Sequence, residues 1–284
     1  MNIILFEQDF FNNGEGLLPK GDERAEHIRR ILKFSTGDLL KAGLFNGPVG
    51  EVRVEGYVEE GIRLSWRETG PAVGLYPLTL IVGYTRPISA KRILREAASL
   101  GAARIVWTGT ETGEKSYREA KLWKEERRHR FLVDGLQQAG ATVLPELLHA
   151  GSVRELLSRV LPSVPPLRTD GPAGGSSRAP GESPGMPASG GNRAVDTGVQ
   201  DGPEEPELLL LDNESGRQRL SELDLSGASH VVVAVGSERG WTGTERTRFS
   251  EAGFRPVRLG GRILRTETAC AVGTAVALSR MGFL

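Results

Sequence analysis

Two short segments near the end of the chain carry the residue types that small-ligand chemistry needs. Gly236-Ser237-Glu238-Arg239-Gly240 follows the apolar run 231–235, and Leu259-Gly260-Gly261-Arg262-Ile263-Leu264-Arg265 leads into Thr266-Glu267-Thr268. Glycine lets backbone amides and carbonyls approach a ligand closely. A helix opening at Thr266 would add unpaired N–H groups beside the second loop. In an open α/β sheet, ligands bind beyond the carboxyl ends of the strands, where loops of this kind must lie. Taken on their residues alone, the two loops predict a small polar ligand, with plain connecting turns as the equal alternative. The four histidines (His27, His129, His149, His230) have no metal-ligand spacing, so no metal is expected.

The elements that must position these loops are readable from hydrophobic period and turn signals. The first seventy residues are mostly strand-like, with runs at 38–45, 49–58 and 62–67 separated by Asn46-Gly47 and Glu60-Gly61, after a helical patch at 23–32. Short strands in this arrangement predict a small barrel. From Tyr76 the pattern alternates: strand 78–84, helix 88–100 stopping at Gly101, strand 104–108, and one long charged helix 117–139 ending at Gly140. Ser152 to Glu155 reads as a capping box, as does Thr242 to Glu245 ahead of a helix running toward Ala252. The run 208–212, apolar up to its closing Asp212, and the run 231–235 read as strands of a buried parallel sheet. A short strand at 256–259 and a helix at 266–281 complete an α/β domain with a mainly parallel sheet.

Residues 162–206 stand apart, with nine of the sixteen prolines, nine glycines, six acids and three bases. That composition cannot bury enough apolar surface to offset its ordering entropy, so a disordered insertion is predicted. Net charge is zero, but 86–130 holds twelve Lys and Arg against six acids, and 236–267 holds seven Arg against four Glu. Local basic surface attracts a phosphate backbone whatever the chain average. Arg29, Arg30 and Lys33 on the early helix are candidate phosphate contacts, with a solvated helix face as the plainer reading. Trp107 and Trp123 suit either base stacking or packing, and Cys270 among small apolar residues reads as core. A single cysteine, no basic, apolar leader and no long apolar run predict a cytoplasmic protein.

The string Leu259-Gly260-Gly261-Arg262-Ile263-Leu264-Arg265-Thr266-Glu267-Thr268-Ala269, some twenty residues after the 236–240 loop, resembles the second signature motif of the RsmE family. The 236–240 loop resembles the first. His27-Ile28-Arg29-Arg30-Ile31-Leu32 with Thr36-Gly37-Asp38 is similar to the family's approach to its N-terminal barrel. Ala97-Ala98-Ser99-Leu100-Gly101, Lys115-Ser116-Tyr117 and Gly135-Leu136-Gln137-Gln138-Ala139 resemble its middle motifs.

The resemblance implies an α/β SPOUT-type parallel sheet with a C-terminal trefoil knot over residues 73–284, preceded by a small PUA-like β-barrel over 1–72. It implies S-adenosyl-L-methionine as cofactor and the imino nitrogen of a uridine in 16S ribosomal RNA of the small subunit as acceptor. It also implies a homodimer that needs neither membrane nor metal. The cofactor set is then Leu211, Gly236, Ser237, Glu238, Gly240, Leu259, Gly260, Ile263, Leu264, Thr266 and Ala269. A cation beside the uracil carbonyls would favour loss of the imino proton. Arg265 is the first candidate and Arg262 the second, with Glu267 either orienting Arg265 or favouring the helix N-terminus. Ser237 and Arg239 stand where the family usually has Pro and Gly, Glu96 and Ser99 where it has Lys and Glu, and Ala141 near a usual Arg. These departures leave two alternatives open: a SPOUT methyltransferase of another RNA, or a catalytically silent RNA-binding ribosome-assembly protein.

Overall fold

A computed structural model describes residues 2–163 and 206–284. The predicted 162–206 insertion lies outside the described residues except at its two ends. The first sheet has five strands in the order β1-β3-β4-β5-β2: β1 Ile4–Phe6, β2 Glu15–Pro19, β3 Leu39–Leu44, β4 Val49–Tyr57 and β5 Gly61–Gly70. Its only parallel pair is β1 with β3, and no ladder joins the two edges β1 and β2 among the described residues. The predicted helix at 23–32 is α1, Glu23–Glu26, which widens into a π-helical turn, His27–Ile31. Asp22 caps it, accepting from the Arg24 N–H at 2.8 Å.

β1 shows how the two halves of the chain are joined. Its side chains alternate, so Ile4 and Phe6 enter the core of the first sheet while Ile3 and Leu5 enter the core of the second. The Asn2 and Ile3 N–H groups both donate to the Gln137 carbonyl, at 2.8 and 3.2 Å.

The second sheet has seven strands, every pair parallel, in the order β10-β12-β9-β11-β6-β7-β8. In chain order they are β6 Tyr76–Gly83, β7 Ala102–Thr108, β8 Glu146–Ala150, β9 Glu207–Leu211, β10 Gln218–Arg219, β11 Val231–Val235 and β12 Arg255–Arg258. The helices are α2 Pro87–Ser99, α3 Lys115–Arg118, α4 Glu125–Ala139, α5 Val153–Glu155 with its continuation α6 Leu161–Ser163, α7 Gly243–Glu251 and α8 Thr266–Arg280. Both faces of the sheet are covered. Leu78, Leu80 and Val82 alternate with Ile81, the former facing α2, α4 and α8 and the latter facing Phe249 of α7. That double burial is why β6, β7 and β11 read as unbroken apolar runs.

Two expectations need correction. The helix predicted over 117–139 is broken into α3, a 3-10 turn Lys121–Trp123 and α4. The cause is Trp123, whose indole turns inward onto Tyr84, Trp107 and His149. Its Nε1–H donates at 2.7 Å to the Tyr117 carbonyl, the acceptor a continuous helix would offer to the Lys121 N–H. The capping box at Ser152 is only half formed: Ser152 Oγ accepts from the Glu155 N–H, but the Glu155 carboxylate accepts from Gly151 instead. Strands β1, β2, β8 and β10 had no separate prediction. Trp107 is fully buried, and the half-buried Trp123 packs on Trp107, Tyr84 and His149.

Candidate functional site

Strand order places the site. From β6 the chain runs outward through β7 to β8, then crosses back so that β11 lies against the other edge of β6. Loops leaving β6 and β11 therefore diverge to opposite sides of the sheet, and the gap they leave is where α/β proteins bind ligands. A cavity of about 830 Å³ lies there. Leu211 and Asp212 end β9 at it, Val235 to Gly240 follow β11, Arg258 and Leu259 follow β12, and Arg86 and Ser89 open α2 on the facing wall.

The first loop is packed against the sheet. Ser237 is 5% exposed and bridges to Gly240, and the Thr110 hydroxyl donates to Ser237 Oγ at 3.2 Å. A Cβ on Gly83 would sit 2.6 Å from the Ser237 nitrogen, and one on Gly236 would sit 2.8 Å from Gly240 backbone atoms. Glu238 reaches across to accept from the Arg86 N–H at 2.9 Å. Behind the loop, the capping box of α7 is complete. Thr242 Oγ1 accepts from the Glu245 N–H, and the buried Glu245 carboxylate accepts from Thr242 and Glu111 N–H groups at 2.9 and 2.8 Å.

The second loop stands open. Ile263 is 88% exposed, Arg262 and Arg265 are exposed, and added Cβ atoms on Gly260 or Gly261 would meet nothing within 4 Å. Neither Arg262 nor Arg265 is ion-paired to a described residue. Arg265 occupies the N-cap position of α8, and Glu267 stands in its first turn. Glu267 pairs with Arg92 of α2 at 3.6 Å rather than with Arg265, so the orienting role weighed for it has no contact behind it.

Of the residues named from the sequence, Leu211, Gly236, Ser237, Glu238, Gly240, Leu259, Ile263, Leu264, Thr266, Ala269, Arg262, Arg265 and Glu267 all line the one cavity. Gly260 belongs to the loop but does not line it. Arg29 and Arg30 lie apart, exposed on the first sheet's helix, where Arg29 covers the Tyr57 ring and Arg30 pairs with Glu26 at 3.0 Å; Lys33, also exposed, lies just past the helix end at positive φ. Ala141, at one of the departures, is buried beside α4 rather than at the cavity. Burial pushes the Cys270 thiol up, and the side chain is core.

Sequence reasoning missed Arg86, Arg92, Asp212, Asn213, Glu214, Arg246 and Arg258. Asp212 is 8% exposed and takes the Arg246 guanidinium in two contacts at 3.0 and 3.2 Å. Burial would raise its carboxyl, but hydrogen bonds from Ser215 and Arg246 hold it below the usual carboxylate range. Its position immediately after an apolar strand was the available signal.

The walls thus divide in charge. Asp212 and Glu214, shared with Arg246, mark one end, and Arg86, Arg239, Arg262 and Arg265 mark the rim. Leu211, Val235, Leu259 and Ala269 give the floor an apolar patch. Such a site suits a ligand with an apolar ring and a cationic part, next to a second, anionic reactant. Among the described residues no group of three or more His, Cys, Asp and Glu is placed to hold a metal ion.

The family model of the RNA methyltransferase domain matches residues 74–163 and 199–278. Ribosomal RNA small subunit methyltransferase E of Treponema pallidum (strain Nichols) is 35% identical over 284 residues, covering 98% of this chain and 91% of that protein. Ribosomal RNA small subunit methyltransferase E 1 of Borreliella burgdorferi is 26% identical, covering 99% of both. Among solved structures, ribosomal RNA small subunit methyltransferase E from Neisseria gonorrhoeae bound to S-adenosyl methionine superposes with a TM-score of 0.67 at 19% identity, over 98% of this chain and 97% of that one. A methyltransferase from Legionella pneumophila with the same bound cofactor gives 0.65 at 17%, over 98% of each. At such identities these two likenesses speak for the fold.

Proposed function

Because the chain belongs to the ribosomal RNA small subunit methyltransferase E family, we propose that it transfers a methyl group from S-adenosyl-L-methionine to the imino nitrogen of a uridine in 16S ribosomal RNA. The observation that carries this reading is the convergence of both glycine loops, from opposite ends of a 34-residue stretch, on a single cavity at the switch point of the sheet.

The donor set fits the cofactor. Leu211, Val235, Leu259, Leu264 and Ala269 offer apolar surface to an adenine, while Asp212 and Glu214, with Arg246 between them, offer charges of both signs to the zwitterionic amino acid moiety. Bound there, S-adenosylmethionine supplies an electrophilic methyl on a positively charged sulfur. The chain's own part is to hold the acceptor and help it shed its proton to solvent water. A uridine imino group is a weak acid, and a guanidinium beside the uracil carbonyls favours the anionic ring. Arg265 is that cation, with Arg262 supporting it. Glu267 holds Arg92 and favours the α8 N-terminus. Positioning of the two reactants supplies much of the remaining rate.

The finer reading of the fold follows the family. Residues 1–72 form a PUA-like barrel that binds RNA through Arg29, Arg30 and Lys33. Residues 73–284 form a SPOUT domain whose C-terminal segment is threaded as a trefoil knot. The enzyme works as a cytoplasmic homodimer, with the exposed Ile263 and Val272 suited to a covered face. Among the described residues no helix is long and apolar enough to cross a membrane.

The test is methyl transfer from labelled S-adenosylmethionine to unmethylated small ribosomal subunits, with the product nucleoside identified by mass spectrometry. The expected product is 3-methyluridine. Methylation of a different nucleoside would move the assignment to another RNA target. Absence of both transfer and cofactor binding would point to a silent assembly protein.

A further inference from the structure

Arg86 lies outside both signature loops, and Lys115-Ser116-Tyr117 is a quoted motif to which the reaction above gives no task. The fold brings them together. Arg86 follows β6, occupies the N-cap of α2 ahead of Pro87, and is exposed on the cavity wall. Its backbone is tied to the first loop through Glu238, as described above. Its guanidinium faces the Tyr117 hydroxyl, which, with Glu238 behind it, holds the group above its ordinary range. Tyr117 is steadied in turn, because its carbonyl takes the Trp123 indole N–H and Trp123 is packed on Tyr84 and Trp107.

The other cations of this region differ in their commitments. Arg246 is shared between Asp212 and Glu214, and Arg92 is paired with Glu267. Arg262 and Arg265 ride on the open second loop. Arg86 alone among these combines an exposed guanidinium with a main chain fixed to the cofactor loop and a tyrosine beside its head group. A base taken into a protein cavity leaves its flanking phosphates at the rim, and charges that meet phosphates set register rather than chemistry.

We propose that Arg86, positioned by Tyr117, anchors a backbone phosphate of the RNA beside the nucleotide that enters the cavity. This rests on the RNA methyl-transfer reading given above. A phosphate contact made equally in the bound and transition states changes KM and leaves kcat alone. It also releases counterions, so its loss lowers the salt dependence of binding by about 0.7–0.9 in log-log slope.

The experiment is steady-state methylation of unmethylated small subunits by wild type, Arg86→Ala, Arg86→Lys and Tyr117→Phe. S-adenosylmethionine affinity and melting temperature are measured on each protein. Arg86→Ala keeps the backbone bond to Glu238, so the cofactor loop is left intact. The expected result is a KM raised roughly tenfold with kcat within about twofold, and a salt slope lower by about one phosphate contact. Arg86→Lys should retain most of the salt slope. Tyr117→Phe should raise KM about threefold without moving the melting temperature, which a merely structural role would not do.

A fall in kcat at unchanged KM would overturn the proposal by placing Arg86 against the reacting base. Unchanged KM and salt slope would remove it from the substrate site. A KM rise matched by an equal loss of cofactor affinity would also overturn it, since Arg86 would then act through the first loop. Wild-type protein that binds cofactor yet methylates no subunit would instead overturn the methyl-transfer reading, so the two failures are separable.

Discussion

The two glycine loops share one cavity, yet they are built in opposite ways. The first is wedged between Gly83 and its own Gly240, held by Thr110 and Glu238, and backed by the buried Glu245. The second projects Arg262, Ile263 and Arg265 outward with empty space around both its glycines. The pre-formed loop presents backbone groups whose positions do not change, which suits a ligand of fixed shape. The open one presents guanidinium groups that must meet a reactant delivered from outside. On the proposed reading, preorganisation is invested in the first loop, while the second lends its apolar residues to the cofactor and its exposed arginines to the RNA.

The sharpest way to break this division is Arg265→Ala. If the open loop serves the acceptor, kcat should fall about 10²–10³-fold, the usual cost of removing one charge-stabilising donor. S-adenosylmethionine affinity, read by calorimetry, should stay within about twofold. Loss of cofactor binding in this variant would mean that the loops do not divide the work.

Glycine-to-alanine changes make the next contrast. Gly83→Ala and Gly236→Ala force a Cβ into backbone that cannot yield, and should cost about 1–3 kcal/mol of stability with at least tenfold weaker cofactor binding. Gly260→Ala and Gly261→Ala meet nothing and do not sit at positive φ, so thermal melts and affinity should barely move. Equal effects at the two loops would erase the difference between them.

How far the sequence disclosed this arrangement follows the same line. β11 and the Thr242–Glu245 box were predicted where they stand, because a continuous apolar run and a reciprocal cap are local patterns. Both loops were recognised from their residues and from the family they resemble. What could not be read locally is what strand order brings together. Arg86 and Glu238 are 152 residues apart and meet only because β11 lies beside β6. Asp212 and Arg246 meet across the crossover from β9 to α7 in the same way. The break before α4 was hidden for a different reason. Its charged residues fit a helical period throughout, and the tertiary packing of Trp123 overrode that local preference.

The smallest expected effect concerns the wall on which the first loop leans. Next to Gly83, the Tyr84 hydroxyl shares a 2.8 Å hydrogen bond with His149 Nδ1, and at the far end of β6 the Thr79 hydroxyl meets His230 Nε2 at 2.9 Å. Burial, with Arg128 and Arg118 nearby, lowers His149 to about 4. Burial, with Arg104, does the same for His230. An unfolded histidine takes its proton near pH 6.5, so the native state is favoured by its neutral imidazoles above that value and loses the advantage as pH falls from 6.5 to 4. After discounting for partial exposure, each group accounts for roughly 1–2 kcal/mol across that window. Melting temperature should therefore drop between pH 6.5 and 4, and His149→Gln or His230→Gln should each flatten part of the slope. Asp212, held below the usual carboxylate range, titrates under this window and does not share in the loss. If the cofactor's protection of the melt fades along with the His149 step but not the His230 step, the first loop draws its rigidity from the Tyr84 wall. If both fade alike, that rigidity belongs to the sheet as a whole.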